Sequence, residues 1–157
     1  MWSTDRELQV DGAHYRLDGV HGGPAPAHDI GIWVGATGPR MLANIGRLAA
    51  GWVPSLPYVP PERLGDMHEQ IDAAAHDAGR DPATIRRIYN VGGAITDGAR
   101  GDGPLDGPVD HWVDALARYA TGHRMDTFIH SVDLGDETQL RRFAEEVVPG
   151  IRAALDA

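Results

Sequence analysis

Residues 30–40, Ile-Gly-Ile-Trp-Val-Gly-Ala-Thr-Gly-Pro-Arg, read as a buried strand, a glycine turn and the first turn of a helix. Ile30 to Ala36 is apolar on both faces, which suits a strand of a covered parallel sheet. Gly35 and Gly38 permit close backbone approach and positive φ, and Pro39 suits the first helical position, where a missing N–H costs nothing. Such a junction aims several free N–H groups at one spot, and the helix dipole adds partial positive charge there. The spot favours a phosphate. The same spacing also describes a tight α/β turn that binds nothing, so spacing alone leaves both readings open.

Outward from this junction the chain alternates. Upstream, Val10-Asp11-Gly12 and Tyr15-Arg16-Leu17 form a short hairpin, followed by a Gly/Pro-rich connector to His28. Downstream, a helix from about Pro39 to Ala50 carries Met41, Leu42, Ile45, Leu48 and Ala49 as its apolar stripe, with Gly51 as its stop. Trp52-Val53-Pro54 is a second strand. Pro60 and Pro61 open a helix to Ala78, with Leu64, Met67, Ile71, Ala74 and Ala78 inward and Gly79 ending it. Residues 86–92 make a third strand. Residues 92–108 form a glycine-rich loop that reads as a mobile lid. A third helix follows Pro108, with Trp112, Val113, Leu116 and Ala117 inward. Thr127 to His130 is the fourth strand. The last helix starts at an Asp136 N-cap, with Leu140, Phe143, Val147, Ile151 and Leu155 as its stripe and a kink at Pro149. The order β-α-β-α-β-α-β-α predicts a parallel sheet.

The chain has 157 residues, enough for one domain with a sizeable core. Its net charge of −9 argues against nucleic acid as a partner, because a phosphate backbone needs a basic face. No apolar run reaches membrane-spanning length, and the N-terminus shows no apolar signal segment. With no cysteine there is no disulfide and no thiolate chemistry, and the expected location is cytoplasmic.

Trp33-Val34-Gly35-Ala36-Thr37-Gly38-Pro39-Arg40-Met41-Leu42, followed by Gly46-Arg47-Leu48-Ala49 and Gly51-Trp52, resembles the bacterial luciferase-like monooxygenase family. The resemblance extends upstream through Met1-Trp2-Ser3 and Asp11 to Leu17, and downstream through Asp77 to Pro82, Ile95-Thr96-Asp97-Gly98 and Asp126 to Ile129. Family members are flavin- or deazaflavin-dependent TIM-barrel oxidoreductases about twice this long. The resemblance implies that this chain corresponds to strands five to eight with their helices. The expected fold is therefore α/β, a (βα)4 half of a TIM barrel with an N-terminal hairpin and extended segment. It is expected as a single domain over 1–157, with hairpin and connector at 1–29 and the core at 30–157.

The resemblance also implies a cofactor. FMN and the deazaflavin coenzyme (F420) both stand open, held by the phosphate at Gly35, Ala36, Thr37, Gly38 and Pro39. Arg40, in the first turn of the helix, suits a bidentate pair with that phosphate and equally suits solvent. Most of the family's proposed acid/base residues belong to the half that has no matching positions here. Relatives usually read Pro-Ile-Trp-Val where this chain has Gly31-Ile32-Trp33-Val34, and Ala-Asp-Gly-Trp where Ala50 stands in the Asp position. Both departures loosen the surroundings of the turn. A non-catalytic cofactor-binding remnant, and a fragment of a longer enzyme with Met1 internal to its reading frame, are the alternative expectations.

Other residues are weighed singly. Ser55 follows the second strand, with Tyr58 close by, and suits a hydrogen bond to a cofactor tail or substrate. It lacks the context of a hydrolase nucleophile. His130 ends the fourth strand and is the one candidate for proton transfer or substrate orientation, against its plain reading as a polar strand end. The eight histidines show no metal-ligand spacing, and Asp97, Asp102 and Asp106 do not match a calcium loop. No metal is expected. Trp33, Trp52 and Trp112 read as core rather than stacking platforms. A small-molecule substrate is expected. So is a homodimer, because a half-barrel leaves two strand edges uncovered.

Overall fold

The computed structural model describes residues 7–21, 24, 26–132 and 136–156. The match at Met1-Trp2-Ser3 lies outside them. The chain divides into two compact units, Met1–Gly31 and Ile32–Ala157. In the first, β1 (Leu8–Asp11) and β2 (Arg16–Val20) pair antiparallel, as the two short runs predict. The Gly12 N–H donates to the Tyr15 carbonyl at 3.0 Å and closes the turn. The strands are exposed along almost their whole length, so the hairpin contributes little core of its own.

The second unit runs β3 (Trp33–Val34), α1 (Pro39–Leu48), β4 (Gly51–Trp52), α2 (Leu64–Asp77), β5 (Arg86–Gly92), α3 (Val109–His123), β6 (Thr127–Ser131), α4 (Glu137–Arg142) and α5 (Val148–Asp156). The sheet has the order β3-β4-β5-β6, and every neighbouring pair is parallel. This is the expected (βα)4 arrangement. Alternation along β5 decides which face is which. Tyr89 and Val91 belong to the hydrophobic core with Trp52 from β4, Leu42 and Ile45 from α1, Ile71 from α2 and Trp112 from α3. Ile88 is fully buried yet stands outside that cluster, on the opposite face beside Trp33 and Gly51. One face of the sheet therefore carries the helix layer, and the other is lined by Trp33, Ile88, Asn90 and Ile129.

Several elements differ from the sequence reading. β3 spans two residues instead of Ile30–Ala36, because it is an edge strand with a neighbour on one side only, and Ile30 and Ile32 are exposed. α1 ends at Leu48, and Gly51 is not its stop. The Arg80 guanidinium caps the helix instead, donating to the Gly46 and Ala49 carbonyls at 2.7 and 2.8 Å. Gly51 opens β4, where a Cβ would stand 2.7 Å from the Trp33 ring and 2.8 Å from Ile88. β4 holds Gly51–Trp52 and stops short of Pro54. Met41 and Leu48 are exposed rather than part of the stripe. Gly46 takes a buried place, since a Cβ there would lie 2.3 Å from the Ile71 carbonyl and drive α1 and α2 apart.

The second helix begins with a 3-10 turn at Pro61–Arg63, Ala78 is exposed, and Gly79 follows at φ 69°, as a helix stop requires. In α3, Val113 and Ala117 are only half buried, and Ala115 and Tyr119 take the inward places. The Asp136 carboxylate accepts from the Gln139 N–H at 3.1 Å, as an N-cap should. The expected kink at Pro149 takes the form of a π turn over Phe143–Val147, just before the proline whose missing N–H breaks the ladder. Leu140 and Leu155 are exposed.

The loop after β5 is fastened, not lid-like. Thr96 and Gly107 share a 2.9 Å backbone hydrogen bond, and the Asp106 carboxylate accepts from the Ala94 and Gly103 N–H groups. Gln139 brackets the Ile95 backbone, accepting from its N–H at 2.7 Å and donating to its carbonyl at 3.0 Å. Arg142 reaches the same carbonyl and pairs with Asp97 at 2.8 Å. Among the described residues no helix is long and apolar enough to cross a membrane.

Candidate functional site

Because all four strands run parallel, their C-terminal ends meet at one edge of the sheet, where open α/β sheets bind ligands. The 35–40 turn sits there, after β3. Gly38 is the N-cap of α1 and Pro39 its first residue. The carbonyl of Gly38 accepts from Met41 and Leu42, both at 3.0 Å, so α1 is formed from its first turn. Among the described residues, no backbone acceptor engages the N–H groups of Gly35, Ala36, Thr37, Gly38 or Arg40. The Trp52 indole N–H donates to the Ala36 carbonyl at 2.9 Å, which holds that oxygen inward and away from any anion outside.

The surroundings of the turn leave room. A Cβ on Gly38 would meet nothing within 4 Å, whereas one on Gly35 would press on the Val53 carbonyl at 3.1 Å. Thr37 and Arg40 are exposed, and no described residue engages the Thr37 hydroxyl or the Arg40 guanidinium. The turn thus offers backbone amides, a hydroxyl and a guanidinium, with the Ala36 carbonyl engaged by Trp52. That donor set fits a phosphate. The Ala50 departure leaves the backbone intact: its N–H donates to Ile32 at 2.9 Å and its carbonyl accepts from Arg86 at 3.0 Å.

Ser55, the other predicted binding residue, joins a row that the sequence reading missed. It pairs in parallel with Asn90, whose side-chain amide donates to Ser55 Oγ at 3.1 Å. The Ser131 hydroxyl in turn donates to Asn90 Oδ1. Ser55, Asn90 and Ser131 therefore link the C-terminal ends of β4, β5 and β6. Beyond Ser131 lies a pocket of about 280 Å³, lined by Gly93, Ala94, Ser131, Val132, Asp136 and Gln139. Period-two alternation through Arg86, Ile88, Asn90 and Gly92 is the signal that finds Asn90, since it is the polar residue on that face towards the C-terminal end of β5.

His130 points the other way. Its ring stacks on Phe143 at 4.3 Å between centroids and meets Trp112 edge-on at 5.2 Å, within the helix layer. Burial holds its pKa below the ordinary imidazole value. The structure does not bring it together with the turn or with the serine row. Tyr58 is exposed and donates its backbone N–H to the Ser55 carbonyl. Trp52 and Trp112 are fully buried, while Trp33 is half exposed on the open face of the sheet. Among the described residues no three His, Asp or Glu side chains gather where they would hold a metal ion.

Comparisons with known proteins agree on the family and the fold. Residues 1–100 match the family model described as luciferase-like monooxygenase. Over 71 residues the chain is 45% identical to the phthiodiolone/phenolphthiodiolone dimycocerosates ketoreductase of Mycobacterium tuberculosis H37Rv, covering 45% of this chain and 18% of that one. The Mycobacterium kansasii ketoreductase of the same name is 50% identical over 54 residues, 34% of this chain and 14% of its own. Among solved structures, an F420-dependent secondary alcohol dehydrogenase in complex with an F420-acetone adduct overlays 96% of this chain at a TM-score of 0.75, with 13% identity. The coenzyme F420 dependent tetrahydromethanopterin reductase of Methanopyrus kandleri overlays 91% at 0.73, with 15% identity. The chain spans 58% of each of these two structures, and a small part of the curated relatives it matches.

Proposed function

Because the chain belongs to the luciferase-like monooxygenase family, we propose that it serves an oxidoreductase reaction in which a flavin or deazaflavin cofactor, FMN or F420, is held by its phosphate at the Gly35–Arg40 turn. One observation carries this reading. Among the described residues no backbone acceptor engages the amides of Gly35, Ala36, Thr37 and Gly38 at the helix N-terminus, while the Ala36 carbonyl is held by Trp52. Structures of similar fold that bind F420 or a modified FMN make both cofactors reasonable candidates. The bound cofactor would supply hydride or oxygen chemistry. This chain's residues would anchor the phosphate, offer Ser55, Asn90 and Ser131 as hydrogen-bond partners, and shield one side of the site with the Trp33–Ile88–Ile129 face. The substrate in this reading is a small molecule and the setting cytoplasmic.

A binding-only role is the second reading. The observation that favours it is His130, whose ring lies in the helix layer between Trp112 and Phe143 and away from the turn.

Purified chain is titrated with FMN and with F420, following absorbance and fluorescence, with inorganic phosphate as competitor. Saturable, phosphate-sensitive binding supports the site. Bleaching of the bound cofactor by NAD(P)H or by a reduced substrate supports turnover, and binding without bleaching supports the second reading. Failure of both cofactors to bind rejects the proposal.

A further inference from the structure

We propose that two copies of this chain close on each other as an eight-stranded ring, with β6 of each copy laid parallel against β3 of the other. Among the described residues β3 and β6 are the two ends of the sheet, each paired on one side only, and the outer side of each presents backbone donors and acceptors. Four parallel strands are half of the eight that close a barrel. Pairing β3 with its own copy would run antiparallel about a two-fold axis and would leave both β6 edges bare. Only a two-fold axis along the strand direction joins β6 to β3 in parallel, and it does so twice, so no edge remains.

The side chains at the two edges complement each other. At the β3 edge, an apolar groove beside α1 is lined by Ile32, Val34, Met41, Ile45 and Leu48, and Ile32, Met41 and Leu48 are exposed. The helix that follows β6 would lie in that groove, and it exposes Leu140 and Leu155. A second copy supplies both the strand edge and the apolar cover that each groove lacks.

The ring also completes the site. Each 35–40 turn, at the C-terminal end of β3, would stand next to the partner copy's β6 end and its 280 Å³ pocket. Neither is adjacent to the other within one copy, because β4 and β5 lie between β3 and β6. The association itself does not depend on which cofactor binds.

The test is solution mass by light scattering on the full chain, with two variants, Leu48→Asp on α1 and Leu155→Asp on α5. Both residues are exposed in one copy, so circular dichroism of each variant should match that of the parent chain. The parent should run at twice the 16.9 kDa of one chain. Each variant alone should lose the double mass. Mixed in equal amounts, the two should regain it, because each mixed pair keeps one intact β6–β3 contact. A parent that stays at single mass, or a Leu48→Asp variant that still dimerises, overturns the proposal. So does a mixture that fails to recover, which would point to a self-matching interface.

Discussion

The Trp52 indole N–H donates to the Ala36 carbonyl at 2.9 Å, tying a fully buried strand residue to the exposed turn before α1. This bond fixes which way the turn's peptide groups face. Replacing Trp52 by Phe keeps most of the bulk and removes the donor. The expected outcome is a stability loss of about 1–3 kcal/mol, from lost packing and an unpaired carbonyl. Cofactor affinity should fall roughly tenfold. Urea unfolding and a cofactor titration check the two separately.

Two glycines near the turn should answer differently to the same methyl group. Gly51→Ala places a Cβ against Trp33 and Ile88 and should cost about 1–3 kcal/mol by overpacking. Gly38→Ala enters open space and should leave the unfolding midpoint almost unchanged. It would still put a methyl beside the amides of the turn, so phosphate-sensitive binding should weaken. A thermal scan and a binding titration on both variants read out the contrast.

The stability of the fold should fall on acidification because of His68. Its ring is buried against Trp52, and Nε2 meets the His123 carbonyl at 2.9 Å. Burial, together with Arg87 nearby, lowers its pKa from 6.5 to about 4. The unfolded chain takes up this proton first as pH drops below 6.5, which favours unfolding. The loss should accumulate between pH 6.5 and about 4, to roughly 3 kcal/mol, and level off below. His68→Leu should remove this component from a urea-derived stability profile.

Asp72 joins two arginines, the buried Arg87 and the exposed Arg124, and its bond to Arg124 is 2.9 Å. Removing the carboxylate strands the Arg87 charge among core residues. Asp72→Ala should cost about 3–5 kcal/mol, and Arg124→Ala, at a solvent-exposed end, about 1 kcal/mol or less. Chemical denaturation of both variants tests the ranking.

The parts of this fold legible in the sequence are those where local pattern and tertiary context agree. β5 falls at 86–92 as the apolar run predicts, and the Asp136 cap and the Gly79 stop stand where their side-chain chemistry requires. The edges were less legible. β3 shrinks to two residues because strand length depends on partners, and Met41 and Leu48 look like core from spacing but are exposed. At the site, Pro39 stands at the first helical position and Gly35 lies close to the Val53 carbonyl as their residue types suggest, but neither Gly35 nor Gly38 takes the positive φ that glycine permits. The Ser55–Asn90–Ser131 row was not, since it is assembled from three strands by register alone. His130 was placed on the right strand end, but alternation turns it into the helix layer.

Amide chemical shifts in an isotope-labelled sample, recorded during titration with FMN and with F420, test the phosphate cradle most directly. The account predicts saturable movement of the Gly35, Ala36, Thr37, Gly38 and Arg40 resonances, reproduced at higher concentration by inorganic phosphate. Saturable cofactor binding that leaves those five amides unmoved would contradict it.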